Sequence, residues 1–252
     1  MEGRGLPAAV LAAASDRRGG ALEVAATALD GLLEVAGDPS LLERSVAALV
    51  AGQPAMAPIW HLARAARAPD PRSALAALRH HLAADAAAAV DAATTWLQDR
   101  LAATPGAVAT VSHSSLVDRV LARLAEGQDT PPSSGLRQPP RWGSVADPAE
   151  PAPDVSTAPG GPVVGLVGAD AVGPGALLNA VGTGELVGRV PTLVAATAVK
   201  LVPAEVFGRL GGEGFEVVPL EAVAAVVVGA EVLSPAEAGR RARDLGLSRA
   251  RP

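Results

Sequence analysis

The sequence predicts an α/β fold in which an N-terminal helical domain is followed by a parallel-sheet domain. Over residues 1–104, apolar side chains recur at helical spacing and are interrupted by Gly and Pro signals. From Ala107 onward, short runs of Val, Leu and Ala alternate with helical segments, a pattern typical of parallel sheets. We therefore expect a helical domain over residues 1–104 and a sheet domain over residues 105–252.

Start and stop signals bound the helices of the N-terminal domain. Asp38-Pro39 and Asp70-Pro71 each place a capping side chain before a proline at the first helical position. Gly37 and Gly52 follow apolar stripes and mark helix ends. The predicted helices run over residues 21–37, 38–52, 58–66 and 71–104.

The sheet domain is predicted to begin with a strand at 107–111 and a helix at 115–125. Residues 127–162 carry many prolines with Ser, Asp and Gly between them and no apolar periodicity, so we expect a disordered Pro-rich linker. Ser234 and Glu237 have the spacing of a capping box that opens the last helix. The remaining predicted elements are strands at 163–167, 193–196, 216–218 and 223–228 and helices at 177–187 and 235–245.

Composition and charge exclude several function classes. The net charge of −5 argues against non-specific nucleic-acid binding, which needs a basic surface. Without cysteine, the chain forms no disulfide, thiolate nucleophile or cysteine-ligated zinc site. No run reaches the ~18 apolar residues of a membrane span. We expect a cytoplasmic protein that binds no membrane, metal or cofactor.

The excess of Ala, Gly, Pro and Arg in the sequence indicates a GC-rich coding sequence.

The segment Gly168-Ala169-Asp170 follows a predicted buried strand. Asp170 is therefore expected at the carboxyl end of that strand, where ligands bind in α/β sheets. A carboxyl group in that position can act as a general acid or base, or it can cap the following turn, and both interpretations stay open. Lys200 also has two interpretations, a grip on a phosphate group or a solvated lysine at a strand end.

Several segments, taken in order, resemble the protein family that contains the alpha, beta and delta subunits of translation initiation factor 2B. That family also includes methylthioribose-1-phosphate isomerase and ribose-1,5-bisphosphate isomerase. The most specific match is Val167-Gly168-Ala169-Asp170, followed by Asn179 and Val181-Gly182-Thr183. The weaker matches are residues 16–26, 53–58, 110–115, 190–200 and 234–235.

The resemblance implies a Rossmann-like fold for residues 105–252 and assigns positions to function. In the isomerases an aspartate and a cysteine move protons during aldose-to-ketose conversion, and these positions correspond to Asp170 and Ser112. Gly182 and Thr183 lie beside a predicted helix whose free N–H groups suit a phosphate if its N-terminus faces the crevice. The ligand-binding positions implied by the match are Gly168, Asn179, Gly182, Thr183, Lys200 and His113.

The sequence departs from the family at the positions that matter most for chemistry. Ser112 replaces the cysteine, and a hydroxyl is a far poorer acid than a thiol. Gln53 replaces a motif arginine, so a bidentate phosphate grip is lost. Ala180 stands where the family has lysine, and Thr197 where it has glutamate. The Pro-rich linker stands in place of a strand-helix-strand passage, so the Rossmann-like domain is expected to be truncated.

These departures favour a non-catalytic regulatory or binding module that resembles initiation factor 2B subunits. We expect it to form a homodimer or to pair with a related subunit. The alternative is an active aldose-ketose isomerase of sugar phosphates that uses Asp170 with Ser112. A third hypothesis is a sensor that binds a phosphorylated small molecule without chemistry.

Overall fold

The computed structural model describes residues 5–17, 19–111, 114–126 and 162–247. Helices dominate the N-terminal part, and a five-stranded and a three-stranded sheet follow. The helices are α1 (Ala8–Ser15), α2 (Ala21–Glu34), α3 (Pro39–Gly52), α4 (Ala57–Ala66), α5 (Pro71–Ala103), α6 (Ser115–Glu126), α7 (Thr183–Arg189), α8 (Ala204–Phe207) and α9 (Pro235–Leu247). The strands are β1 (Ala107–Ala109), β2 (Pro162–Val167), β3 (Ala171–Val172), β4 (Ala176–Ala180), β5 (Thr192–Ala196), β6 (Phe215–Pro219), β7 (Ala225–Val228) and β8 (Glu231–Leu233).

The predicted helix caps are present. The Asp38 carboxylate accepts a hydrogen bond from the Leu41 N–H at 3.0 Å, and Asp70 accepts one from the Ser73 N–H at 3.1 Å. Each cap satisfies a backbone donor that the first turn of the helix leaves unpaired. Helices α3 and α5 therefore begin where the Asp-Pro pairs predicted them.

The capping box that opens α9 is also confirmed. The Glu237 carboxylate accepts a hydrogen bond from the Ser234 N–H at 3.0 Å, and the Glu237 N–H donates to Ser234 Oγ at 3.3 Å. This reciprocal pair fixes the start of the helix. Helix α9 then covers part of the five-stranded sheet through Ala238 and Ala242, both fully buried.

Helices α1 to α4 and the first part of α5 enclose one apolar core built mainly from leucine and valine. Helix α5 is 33 residues long and serves two cores. Leu75 and Leu82 belong to the helical core, whereas the stretch from Ala86 to Leu97 packs on the five-stranded sheet. A single continuous helix therefore ties the helical half to the sheet half.

The five-stranded sheet has the order β1-β2-β5-β7-β8, and every pairing in it is parallel except that of β7 with β8. Its side chains alternate between two buried faces, as expected for a parallel sheet with helices on both sides. Leu166 and Leu193 point into the core formed with α5 and α6. Val167 and Val194 point into the core formed with α7 and α9. The predicted α/β class is confirmed.

The helix predicted over residues 177–187 is wrong. Residues Ala176–Ala180 form strand β4, which lies between β3 and β6 in a separate antiparallel sheet, and only Thr183–Arg189 is helical. The cause is the burial of Leu177, Leu178 and Asn179 in succession, which suits a strand with both faces covered. Gly182, with a φ of +99°, then turns the chain into α7.

Other predicted boundaries shift by a few residues. The first strand ends at Ala109 rather than 111, and the last parallel strand begins at Ala225 rather than 223. Strand β2 begins at Pro162, so the last residue of the predicted linker is part of the sheet. The rest of that linker, residues 127–161, lies outside the described residues. No helix in the described part of the chain is long and apolar enough to cross a bilayer.

Candidate functional site

A crevice is expected where β1 and β2 end, because the connections that leave these adjacent parallel strands go to opposite faces of the sheet. Helix α6 follows β1 and packs with α5 on one face. Helix α7 comes after β2 and packs on the other face. Diverging connections of this kind leave an opening at the carboxyl ends of the strands, the usual ligand position in α/β sheets. Asp170 lies at this point, three residues after the end of β2.

Asp170 pairs with Lys200 at the position expected for the crevice. The distance from Asp170 Oδ1 to Lys200 Nζ is 3.8 Å, and the two side chains are 24% and 8% exposed. Burial lowers the pKa of Lys200, and the negative charges of Asp170 and Glu23 oppose that shift. The interpretation of Lys200 as a solvated lysine is therefore wrong. Asp170 lies just after the end of a strand, as expected.

The burial of Lys200 follows from the short 3-10 turn Ala198–Lys200 that leaves β5. Val199 in this turn belongs to the core of the helical half. The Ala198 N–H donates to Asp85 Oδ2 of α5 at 2.5 Å. The Leu201 carbonyl accepts a hydrogen bond from His61 Nε2 of α4 at 2.8 Å. Contacts from the helical half therefore flank Lys200 on both sides and hold it opposite Asp170.

Sequence reasoning missed Asp85, His61 and Glu23 as neighbours of the site. Asp85 and His61 lie on helices far from Lys200 in sequence, and no spacing signal links them to it. Glu23 was noted only as part of the opening-helix resemblance, yet its charge acts on Lys200. A tertiary contact of this kind leaves no local pattern in the sequence.

Asn179 and Thr183, both expected to bind ligand, form an internal pair. Asn179 Nδ2 donates to Thr183 Oγ1 at 2.9 Å, and Thr183 Oγ1 donates to the Ala180 carbonyl at 2.7 Å. Both side chains are buried. Strand β4 runs beside the crevice, since the Asp170 N–H donates to the Leu178 carbonyl at 2.9 Å. The pair thus stabilises the turn that leads from β4 into α7.

The start of α7 already holds a carboxylate. The Gly184 N–H donates to Glu216 Oε1 of β6 at 2.8 Å. Carboxylates at the start of a helix satisfy its free N–H groups and its positive dipole end. The phosphate site considered at Gly182 and Thr183 therefore competes with a negative side chain of the protein itself. Gly168, the remaining ligand-binding position, is buried directly after β2, while Ser112 and His113 lie outside the described residues.

Gln53, which replaces the motif arginine, is a structural residue. It is only 6% exposed, and its Nε2 donates to the carbonyls of Ala13 and Asp16, each at 2.7 Å. These carbonyls lie at the C-terminal end of α1, where helices leave acceptors unpaired. Gln53 therefore fastens α1 to the turn between α3 and α4.

Replacing Gln53 by Ala is expected to lower the free energy of unfolding by about 2 kcal/mol, because the buried Ala13 carbonyl loses its side-chain partner and the link to Asp16 is lost. Urea denaturation measures this, with Gln98→Ala on the exposed face of α5 as the matched control. The control is expected to stay within about 0.5 kcal/mol of the wild type. An equal effect of both variants would contradict the assigned role of Gln53.

His61 makes stability depend on pH below neutrality. Burial is the largest cause that lowers its pKa, from 6.5 to about 4, and Arg64 adds to the decrease. Since the folded pKa lies below the unfolded one, the unfolded chain takes up the proton first as the pH falls below 6.5. Stability that is present above pH 6.5 is therefore lost between that pH and about 4.

Between pH 7 and pH 4.5 the wild type is expected to lose about 2 kcal/mol more than His61→Gln, which keeps a donor for the Leu201 carbonyl and does not titrate. Urea denaturation at both pH values measures the difference. His81→Gln, on an exposed position of α5, is the control and is expected to follow the wild type. Parallel pH profiles for the wild type and His61→Gln would contradict the assignment.

Residues 5–17, 19–111, 114–126 and 162–247 contain no cluster of three or more His, Asp or Glu side chains placed to hold an ion. Two buried hydroxyls in the same ranges, those of Thr94 and Thr197, have no hydrogen-bond partner. Thr197 stands where the resemblance places a glutamate. The arrangement thus offers a carboxylate-ammonium pair in a crevice, with most surrounding polar groups engaged by the protein.

The fold is similar to that of solved subunits of translation initiation factor 2B. The Pyrococcus horikoshii translation initiation factor 2B matches with a TM-score of 0.62 and 15% identity, over 91% of this chain and 96% of its own. Initiation factor 2B beta from Chaetomium thermophilum matches with a TM-score of 0.59 and 13% identity, over 94% of this chain and 90% of its own.

The tetrameric beta2-delta2 complex of initiation factor 2B from C. thermophilum also contains a similar chain. It matches with a TM-score of 0.54 and 13% identity, over 89% of this chain and 91% of its own. No protein-family model matches the sequence, and no curated protein matches it. Sequence identities of 13% to 15% support a conclusion about the fold alone. For the fold, the resemblance drawn from the motifs is confirmed. The chain has the fold of the initiation factor 2B subunits.

Proposed function

We propose that this chain is a non-catalytic relative of the initiation factor 2B subunits that acts as a binding or regulatory module in the cytoplasm. The observation that carries the proposal is the use of Gln53. The resemblance places a phosphate-binding arginine at this position. The Gln53 side chain instead holds the end of α1 through two 2.7 Å hydrogen bonds. The fold is that of the initiation factor 2B subunits, but the side chain at the position of the phosphate-binding arginine stabilises the protein's own backbone.

Other polar groups around the crevice support the same conclusion. Asp170 is paired with the buried Lys200, and Asn179 is paired with Thr183. A sugar-phosphate isomerase needs cationic groups free to hold phosphate, and it needs a second proton carrier beside the carboxylate. The described arginines are exposed or half-buried on the surface rather than inside the crevice.

We propose further that the chain pairs with a second copy or with a related subunit. A solved chain of similar fold belongs to a tetrameric complex, which makes association a reasonable property of this architecture. Val181 and Val217 are 64% and 61% exposed and lie on neighbouring parts of the antiparallel sheet, where Val181 donates its N–H to the Gly214 carbonyl. Large exposed apolar side chains favour an interaction surface.

Size-exclusion chromatography with light scattering tests the association. We expect the full chain to run as a dimer at micromolar concentration. Val217→Lys is expected to shift it toward monomer, because a charge in an apolar interface is desolvated without a partner. Val50→Lys, on the exposed face of α3, is the matched control and is expected to remain dimeric. A strictly monomeric wild type would overturn the proposed association.

The alternative function is a sugar-phosphate isomerase. The observation that favours it is the Asp170–Lys200 pair at the carboxyl end of the sheet, since a carboxylate beside an ammonium group is suited to proton transfer. This alternative requires turnover of a phosphorylated sugar. A phosphorylated small molecule that binds without reaction is compatible with the proposed role and would raise the apparent stability of the folded chain.

A further inference from the structure

Lys200 is the single lysine among the 21 basic side chains of this sequence, and the other 20 are arginines. The composition indicates a GC-rich coding sequence, in which arginine takes most positions that need only a positive charge. The described arginines follow that rule, since they lie on the surface. The one lysine in such a composition therefore points to a position at which an amine and a guanidinium group are not equivalent.

The surroundings of Lys200 identify that property. It is 7% exposed, and no other charged side chain in the described part of the chain is buried. For a simple ion pair with Asp170, an arginine would offer two parallel hydrogen bonds and a fixed charge. A lysine differs because its amine can lose its proton and act as a nucleophile, whereas a guanidinium group stays charged. Burial lowers the pKa of Lys200 and so increases the free amine fraction.

The position of Lys200 also suits a reaction. Its Nζ lies 3.8 Å from Asp170 Oδ1, beyond the carboxyl ends of strands β2 and β5. The contacts of Asp85 and His61 to the flanking residues fix the backbone that carries it. A nucleophile held beside a carboxylate that can accept and return a proton is the arrangement used in covalent carbonyl chemistry.

We propose that Lys200 binds small open-chain hydroxyaldehydes covalently and reversibly, as an imine. This goes beyond the proposed role as a binding module, since it assigns the crevice a covalent ligand. A side chain with 8% exposure favours a small ligand. The ligand hydroxyl groups suit the carboxylate of Asp170, which is 24% exposed.

The steps balance without an oxidant or a reductant. Asp170 takes a proton from the ammonium group, and the freed lone pair of Nζ forms a bond to the carbonyl carbon. The electrons of the C=O double bond move to the oxygen, which takes a proton from the attached nitrogen and becomes the hydroxyl of a carbinolamine. The nitrogen lone pair then forms the C=N bond as the C–O bond breaks, and water leaves with the proton that Asp170 returns. The remaining N–H proton passes to Asp170 and leaves a neutral imine. Hydrolysis reverses each step and releases the aldehyde.

Reductive labelling tests the proposal on the full chain. Glycolaldehyde and cyanoborohydride are added at pH 7 to an equimolar mixture of the folded protein and an acetylated peptide of residues 196–204, which carries the same lysine unfolded. Mass spectrometry follows the adduct on Lys200 in both. An unfolded lysine with a pKa of ~10.4 is a free amine to only about 1 part in 2,500 at pH 7. Lys200 in the folded chain is expected to label about tenfold faster or more.

Equal or slower labelling of Lys200 in the folded protein would overturn the proposal, because a lysine with a purely structural role is protected by burial. Lys200→Met controls the assignment and is expected to lose the adduct in that peptide fragment. The comparison of the wild-type chain with the peptide stands even if this variant does not fold. Light scattering is independent of this readout, so failure of the imine proposal and failure of the proposed association are distinguishable.

Discussion

Replacing Asp170 by Asn is expected to lower the free energy of unfolding by about 3 kcal/mol at pH 7. The variant leaves the buried Lys200 without the carboxylate that lies 3.8 Å away. Breaking a buried pair by removing one partner destabilises strongly, because the remaining charge stays desolvated. Asp170 is 24% exposed, which places the expected effect at the lower end of the usual range for buried pairs.

The pH dependence of this variant is distinctive. The folded pKa of Lys200 is lowered by burial, so the folded state holds fewer protons than the unfolded state and stability rises with pH. Asp170 opposes that decrease, and its removal lowers the pKa of Lys200 further. The loss in Asp170→Asn is therefore expected to be largest near neutral pH and smaller at pH 9.5, where more of the lysine is neutral.

Urea denaturation at both pH values measures the effect. Lys200→Met combined with Asp170→Asn removes both charges and is expected to be more stable than Asp170→Asn alone. The control is Asp91→Asn, which breaks an exposed pair with Arg123 and is expected to cost less than about 1 kcal/mol. If Asp170→Asn were as harmless as Asp91→Asn, the buried ion pair would not contribute to stability.

Replacing Gly52 by Ala is expected to destabilise the helical half by about 3 kcal/mol. A Cβ at this position would lie 2.3 Å from the Ala14 carbonyl oxygen and 2.9 Å from the Ala14 carbonyl carbon and Cα. These are backbone atoms, so α1 and α3 must move apart. That movement also separates Gln53 from the two carbonyls that it holds.

Gly188→Ala is the matched control for this prediction. Gly188 lies in α7, and a Cβ there would meet no atom within 4 Å. Alanine is a better helix former than glycine, so this variant is expected to keep or slightly raise stability. Thermal unfolding and urea denaturation measure both. A Gly52→Ala protein as stable as the wild type would contradict the close contact between α1 and α3.

Local signals explain which parts of the fold could be predicted from the sequence. Asp38, Asp70 and Ser234 each satisfy a backbone donor within three residues, so their effect is visible in the sequence itself. The strand before Asp170 was predictable for a similar reason, because a short apolar run followed by a small polar turn is a local pattern. The expected position of Asp170 followed directly.

The parts that could not be predicted depend on contacts between distant segments. The segment 176–180 is apolar enough for either a helix or a strand, and its pairing with β6 decides the outcome. The end of α3 at Gly52 was predicted, but its contact with Ala14 was not. Gln53 was interpreted as a lost ligand group, whereas its role is to hold the end of α1.

The candidate site, like the fold, could be predicted from the sequence only in part. Asp170 and Lys200 were both singled out from the sequence, yet their pairing depends on the turn Ala198–Lys200 being held by Asp85 and His61. Burial of a lysine is rare, and nothing in its sequence neighbours predicts it. The motif resemblance supplied the position of the expected crevice, whereas the burial of Lys200, which lowers its pKa, follows from the packing of the helical half against the sheet.

An isomerisation assay tests the non-catalytic role most directly. Ribose 1,5-bisphosphate and methylthioribose 1-phosphate are each incubated with the wild-type chain and with Asp170→Asn, and NMR follows the conversion of aldose to ketose. We expect both proteins to leave both substrates unchanged over the background rate. Conversion by the wild type that disappears in Asp170→Asn would contradict a non-catalytic crevice and assign the chain to the isomerases.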